Sequence, residues 1–148
     1  MYKNILAPID GGEISNNVIK QVCAFAWSIG VCLILYQARP GYFPNFISGE
    51  PVIDDAGLDE AMHATIDQQA TALLQDAANA ATDVGIECET LSNESDSPHA
   101  SIIAAAESKY RDLIFMASHG LHGADALLLG SETQKVPTHC KIPVLVYH

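Results

Sequence analysis

The groups best placed for chemistry lie in one stretch, Met116-Ala117-Ser118-His119-Gly120-Leu121-His122-Gly123-Ala124-Asp125-Ala126-Leu127-Leu128-Leu129-Gly130-Ser131. It follows Leu113-Ile114-Phe115-Met116, an apolar run with the character of a buried strand, and leads into Ser131-Glu132-Thr133-Gln134, a capping box that opens a helix. A glycine-bearing loop between a strand and a helix N-terminus offers an anion free backbone N–H groups and the positive end of the helix dipole. Glycine also lets a ligand come close to the backbone. The chemistry this favours is the holding of a phosphate-bearing small molecule.

Bond-breaking chemistry has less support. No Ser-His-Asp order stands out, and no lysine follows the glycines as in a Walker A loop. His119, His122 and Asp125, with Asp10, form a conceivable metal cluster, but no Cys or Glu completes a standard ligand set. No dedicated transition-metal site is therefore expected. His139 and Cys140 are expected to serve packing or the helix dipole. Asp10, in the turn Pro8-Ile9-Asp10-Gly11-Gly12, stands equally well as a ligand or as a turn and helix-entry acid. Ser131 either caps its helix or meets phosphate.

The elements that must position these groups follow from hydrophobic spacing. Tyr2–Ile9, 31–37 and 142–147 are apolar, as strands buried on both faces should be. Val18, Val22, Phe25, Ala26 and Ile29 share one face of a helix that Ser15 can cap and Gly30 can end. From Leu58 to Val84 the positions 58, 62, 66, 70, 73, 77, 81 and 84 make a second apolar stripe, stopped by Gly85. A short strand, Ile86 to Leu91, alternates with Glu87 and Glu89 and so belongs at a sheet edge. Ser97-Pro98 opens a third helix, with Ile102, Ile103 and Ala106 as its stripe. Pro137 is expected to kink or end the last helix near Val136. The segment from Arg39 to Gly57, rich in proline and glycine, has the character of an irregular lid or contact loop.

Strands alternating with helices imply an α/β domain, a doubly wound five-stranded parallel sheet of order 3-2-1-4-5 with helices on both faces. In such sheets ligands bind beyond the strand carboxyl ends where the order reverses. That puts Asp10 opposite the loop 117–123.

At 148 residues, with 49% apolar and 17% charged side chains, one domain spanning 1–148 is expected. The net charge of −11 argues against nucleic acid and anionic membranes as partners. No apolar run is long enough to insert in a bilayer. The first residues lack a basic flank with a long apolar run, so no signal peptide is expected and the cytoplasm is the expected compartment. Cys23, Cys32, Cys88 and Cys140 are scattered, without a CxxC, and are expected to be buried free thiols.

The chain resembles the universal stress protein family over essentially its full length. The resemblance rests on Ile5-Leu6-Ala7-Pro8-Ile9-Asp10, Ser97-Pro98, Leu127-Leu128-Leu129-Gly130-Ser131 and Lys141-Ile142-Pro143-Val144-Leu145-Val146. Nucleotide-binding members carry a loop G-x2-G-x9-G-S/T, whose positions here are Ala117, Gly120, Gly130 and Ser131. The resemblance implies that Pro8, Ile9, Asp10 and Ala38 border adenine and ribose. It implies that Ala117, His119 and Gly120 line the ribose and first phosphates, with Met116 entering from the strand. Gly130, Ser131, Glu132 and Thr133 would receive the outer phosphates. ATP, ADP or AMP is the implied ligand, and Asp10 would hold Mg or Mn beside the phosphates. A homodimer pairing Ile142–Tyr147 between protomers is also implied, and an apolar terminal edge strand independently wants a partner.

The sequence departs from the pattern in ways with physical consequences. Ala117 stands at the first glycine position, which is tolerable where φ stays negative. The loop lacks a basic residue between the second and third glycine positions and has Asp125 there. Glu132 suits the helix dipole but repels a γ-phosphate. Monophosphate or diphosphate is thus easier to hold than ATP without metal. The function expected is a stress-response or signalling module that senses an adenine nucleotide rather than an enzyme. The alternatives are a dimeric scaffold of the same fold, with an unidentified protein partner, and a slow ATP hydrolase.

Overall fold

The computed structural model describes residues 1–9, 13–39, 46–47, 50–51, 56–117 and 134–147. Five parallel strands form the main sheet: β1 (Asn4–Pro8), β2 (Cys32–Arg39), β5 (Cys88–Glu94), β6 (Leu113–Ala117) and β7 (Val144–Tyr147). Their order is β5-β2-β1-β6-β7, the expected 3-2-1-4-5 arrangement when these five are counted in chain order. The helices are α1 (Glu13–Ile29), α2 (Ala56–Asp83), α3 (Pro98–Ser108) and a short α4 over residues 134–139. A separate antiparallel pair, β3 (Phe46–Ile47) with β4 (Glu50–Pro51), lies in the segment expected to be irregular. Two-residue strands are too short to leave a periodic signal.

Alternation along the strands divides the core into two layers. Ile5, Ala7, Leu33, Leu35, Leu113 and Phe115 face α1 and α2, which bury Val18, Val22 and Ala26 and Leu74, Ala77 and Ala81. Leu6, Ile34, Tyr36, Ile114 and Met116 face the opposite side, against Ile102, Ala105 and Ala106 of α3 and Val136 of α4. Small residues at 70, 77 and 81 let the long α2 lie close to the sheet. Aromatic contacts join the layers' outer elements: Phe25 to Phe115 and Phe115 to Tyr147, with centroids 5.8 and 6.4 Å apart. At the amino end the Asp112 carboxylate accepts from Lys3 N–H and Asn4 N–H, both at 2.9 Å. That contact pins β1 beside β6 and sets their register.

Several expectations shift. Helix α1 starts at Glu13, so Ser15 lies inside it rather than capping it. Strand β5 runs Cys88–Glu94, later than Ile86–Leu91, and sits at the sheet edge as expected. Val84 is 52% exposed, because α2 ends at Asp83 and the positive φ of Gly85 turns the chain out of the helical register. Pro137 does not end α4, whose described turn continues to His139. A proline removes only its own N–H, and two side chains reinforce the turn beyond it. Thr138 Oγ1 donates to the Gln134 carbonyl at 2.8 Å, and His139 Nδ1 donates to the Lys135 carbonyl at 2.9 Å. All four cysteines are free, but Cys32 is exposed and only Cys23 is buried outright. No described helix is long and apolar enough to cross a membrane.

Candidate functional site

The reversal of strand order falls between β1 and β6, which are neighbours although α1, β2, β3, β4, α2, β5 and α3 intervene in the chain. Their ladder is short. It pairs Ile5 with Leu113 and Leu6 with Ile114, while β1 runs on to Pro8 and β6 to Ala117. On the outer sides the ladders continue: β1 stays paired to β2 through Pro8 and Tyr36, and β6 to β7 through Ala117 and Tyr147. The sheet therefore parts at the carboxyl ends of its two central strands, where helix connections on opposite faces leave a crevice.

Five expected contact residues are described, at or near the carboxyl ends of β1, β2 and β6. Pro8 and Ile9 end β1, Met116 and Ala117 end β6, and Ala38 lies near the end of β2. Ile9 is held by its N–H, which donates to the Tyr36 carbonyl at 2.8 Å. Ile9 and Met116 are almost fully buried, while Pro8, Ala38 and Ala117 are half-buried. Their side chains are apolar: Ile9 and Ala117 join the core layer of α1 and α2, and Met116 and Ala38 the opposite layer. Ala117 lies within β6 and does not take a positive φ, so alanine at the first glycine position costs no backbone strain. Asp10, His119, Gly120, Gly130, Ser131, Glu132 and Thr133 lie outside the described residues, as do the Asp10 metal position and the phosphate loop. Among the described residues no group of three or more His, Cys, Asp or Glu is arranged to hold a metal ion.

The opening is braced on both flanks by contacts that hydrophobic periodicity does not reveal. On the α3 side the buried Tyr36 hydroxyl is hydrogen-bonded to Ser101 Oγ, tying β2 to the first turns of α3. Ser97 stands at the N-cap of α3 with extended backbone, and its hydroxyl faces His99 Nδ1 at 3.3 Å. The His99 and His139 rings lie 5.6 Å apart, joining α3 to α4. On the α2 side Arg39 makes an ion pair with Asp67. Beneath it Gln37 Oε1, Ser92 Oγ and Arg39 Nε are buried without a hydrogen-bond partner among the described residues. Gln37 and Ser92 are register partners, and Arg39 follows on the same face. In folded proteins such atoms are met by ordered water or ligand. The visible signal for them was the polar Gln37 and Arg39 alternating into the end of an apolar strand.

Comparison with known proteins agrees with this fold. The sequence model of the universal stress protein family matches residues 1–148. Universal stress protein MJ0577 of Methanocaldococcus jannaschii is 28% identical, over 99% of this chain and 94% of its own length. A solved structure of MJ0577 superposes with a TM-score of 0.76, covering 99% of this chain and 95% of that one. A universal stress protein solved in complex with cAMP superposes with a TM-score of 0.71 at 20% identity, over 99% of this chain and 97% of that one. An Arabidopsis thaliana family protein with AMP bound gives 0.62 at 15% identity, over 97% and 90%. At such identities the last two establish likeness of fold.

Proposed function

Because the chain belongs to the universal stress protein family, we propose that it is an adenine-nucleotide-binding module which senses its ligand rather than turning it over. The observation that carries this reading is the parted end of β1 and β6, ringed by Pro8, Ile9, Ala38, Met116 and Ala117. Adenine would lie against Ile9, Ala38 and Met116. Asp10 would hold the ribose, and Mg or Mn beside the phosphates. Ala117, His119 and Gly120 would border the ribose and first phosphate, and Gly130, Ser131, Glu132 and Thr133 any further phosphates. Relatives of the same fold bound to AMP and cAMP support a nucleotide monophosphate as ligand. The acidic Asp125 and Glu132 argue the same way against an uncompensated triphosphate. The module would work in the cytoplasm as a homodimer paired through the final strand.

The test is calorimetric titration with AMP, ADP, ATP and cAMP, with and without Mg. AMP is expected to bind without metal, and ATP to gain affinity when Mg is added. Gly120→Val should abolish binding, and Ala38→Leu, which fills the expected adenine space, should weaken it at least tenfold with the melting temperature kept. Unchanged affinity in both variants would remove this site from the account. A protein that ignores every nucleotide would be a scaffold of the same fold. Phosphate release from ATP that disappears in Asp10→Ala would instead mark a slow hydrolase.

A further inference from the structure

Strand β2 ends in polar residues that its alternation directs inward. Leu33 and Leu35 belong to the core layer of α1 and α2, and the period of the strand puts Gln37 and then Arg39 on the same face. Gln37 lies in register with Ser92 of β5. On its other side it neighbours Ile9. The Ile9 N–H donates to the Tyr36 carbonyl, which carries the β1–β2 register one residue past Pro8 and Tyr36. Ile9, Gln37 and Ser92 thus form one row across three strands, with backbones about 4.8 Å apart.

Two members of this row are polar and unsatisfied. Gln37 Oε1 and Ser92 Oγ, with Arg39 Nε on the same face, are buried without a hydrogen-bond partner among the described residues. Each such atom lowers stability, and an apolar side chain of similar size would avoid the loss. The Arg39 guanidinium is pinned by its ion pair with Asp67, made through Nη1, which leaves the buried Nε–H to the Gln37 face. An amide can turn over and present either its oxygen or its NH2 group. Beside a guanidinium the oxygen is the favoured end, because it is the negative pole of the amide. Gln37 therefore offers an acceptor, and the partner it lacks is a donor. Gln37 as a whole is half-buried, and the torsion that turns its amide is soft. The oxygen can thus swing toward a ligand resting on Ile9.

Given the proposed nucleotide site, on which this inference rests, the base lies against Ile9, one strand away from this amide. Adenine carries an exocyclic amine at its 6-position and so brings a donor. Hypoxanthine and guanine carry a carbonyl oxygen there, which would meet the Gln37 oxygen acceptor to acceptor. We propose that Gln37 is a specificity-determining residue of the crevice, accepting a hydrogen bond from the exocyclic amine of a 6-aminopurine. Arg39 is the positioning residue that keeps the amide oxygen turned to the base.

The test is calorimetric titration of AMP and IMP, whose bases differ only at the 6-position and the adjoining ring nitrogen, against the wild type and variants at 37 and 39. The wild type is expected to favour AMP by at least about tenfold. In Gln37→Leu, AMP should weaken about tenfold while IMP is held as before, so that the preference collapses. Gln37→Glu retains an acceptor and should retain the preference. Arg39→Met should narrow it and Arg39→Lys, which restores the charge, should widen it again, a change of ratio that a merely structural role would not produce. Without ligand, Gln37→Leu should melt no lower than the wild type, since it removes a buried oxygen that has no partner. A wild type that holds AMP and IMP equally, or a preference unchanged in Gln37→Leu, would overturn the proposal and leave the nucleotide site standing. So would a Gln37→Leu protein that melts well below wild type, because the amide would then be bonded within the fold. A protein that binds neither nucleotide would overturn the nucleotide site itself, and this proposal with it.

Discussion

Cys23 is a thiol held inside the core. It is 1% exposed on α1, within the core layer that Cys88 also packs against. Burial first, and then the neighbouring Cys88, push its thiol up to about 11; burial likewise raises Cys88. The folded state therefore holds this proton more tightly than the unfolded chain. The stability linked to it is complete below about pH 9, the ordinary thiol value, and is lost as pH rises through about 11. Denaturation in urea should show a loss on the order of 2–3 kcal/mol between pH 8 and pH 11. In Cys23→Ala most of that slope should vanish, although the variant starts lower. With iodoacetamide at pH 8, the exposed Cys32 should be alkylated in the native protein while Cys23 is spared. Tyr36 shows the complementary case of a buried polar group that is satisfied. Tyr36→Phe removes its bond to Ser101 and should lower stability by about 1 kcal/mol, read as a shift in urea midpoint.

At the scale of elements, the parts of the fold that were legible in the chain are those set by local stereochemistry. Gly30 and Gly85 mark helix ends because only glycine enters the left-handed region without strain, and both take positive φ where expected. Gly85→Ala should cost about 1 kcal/mol through that conformation alone, since a Cβ there meets nothing within 4 Å. A thermal melt that matched wild type would refute this. Helix α3 ends in the same kind of turn at Tyr110 (φ +51°), a residue that gives no glycine signal, and only the carbonyl partners of Lys109, Tyr110 and Arg111 reveal it. The β3–β4 pair was illegible for a different reason. Its order comes from the pairing of two two-residue strands rather than from a periodic face. For the site, the ends of β1 and β6 were legible because a strand followed by glycine or proline punctuation announces its carboxyl end. The braces around them were not, because Tyr36–Ser101 and Arg39–Asp67 join residues far apart in sequence.

At the scale of the molecule, strand order determines which backbone is left for a partner. Among the described residues β7 pairs with β6 alone, so its far edge is open. Its side chains are half-buried throughout, less than those of the central strands. In a parallel ladder alternate residues direct their N–H and C=O to one neighbour. The Ile114 N–H donates to the Pro143 carbonyl at 3.0 Å, and Ile114 lies in register with Val144. Carried along the strand, this pattern turns Pro143, Leu145 and Tyr147 toward β6, and Val144 and Val146 outward. A second copy pairing along this edge would use the outward groups. Val146→Pro removes one outward donor and leaves the inward ladder intact, and edge strands tolerate proline there. On the proposed final-strand pairing, the variant should keep its fold by circular dichroism and sediment at half the mass of the wild type. Because the crevice lies one strand further in, between β6 and β1, its AMP affinity should stay within about twofold of wild type. Retained mass in Val146→Pro would place the protomer contact away from β7. Lost AMP affinity would mean that the strand edge and the crevice respond together, so that the dimer itself belongs to the sensing device.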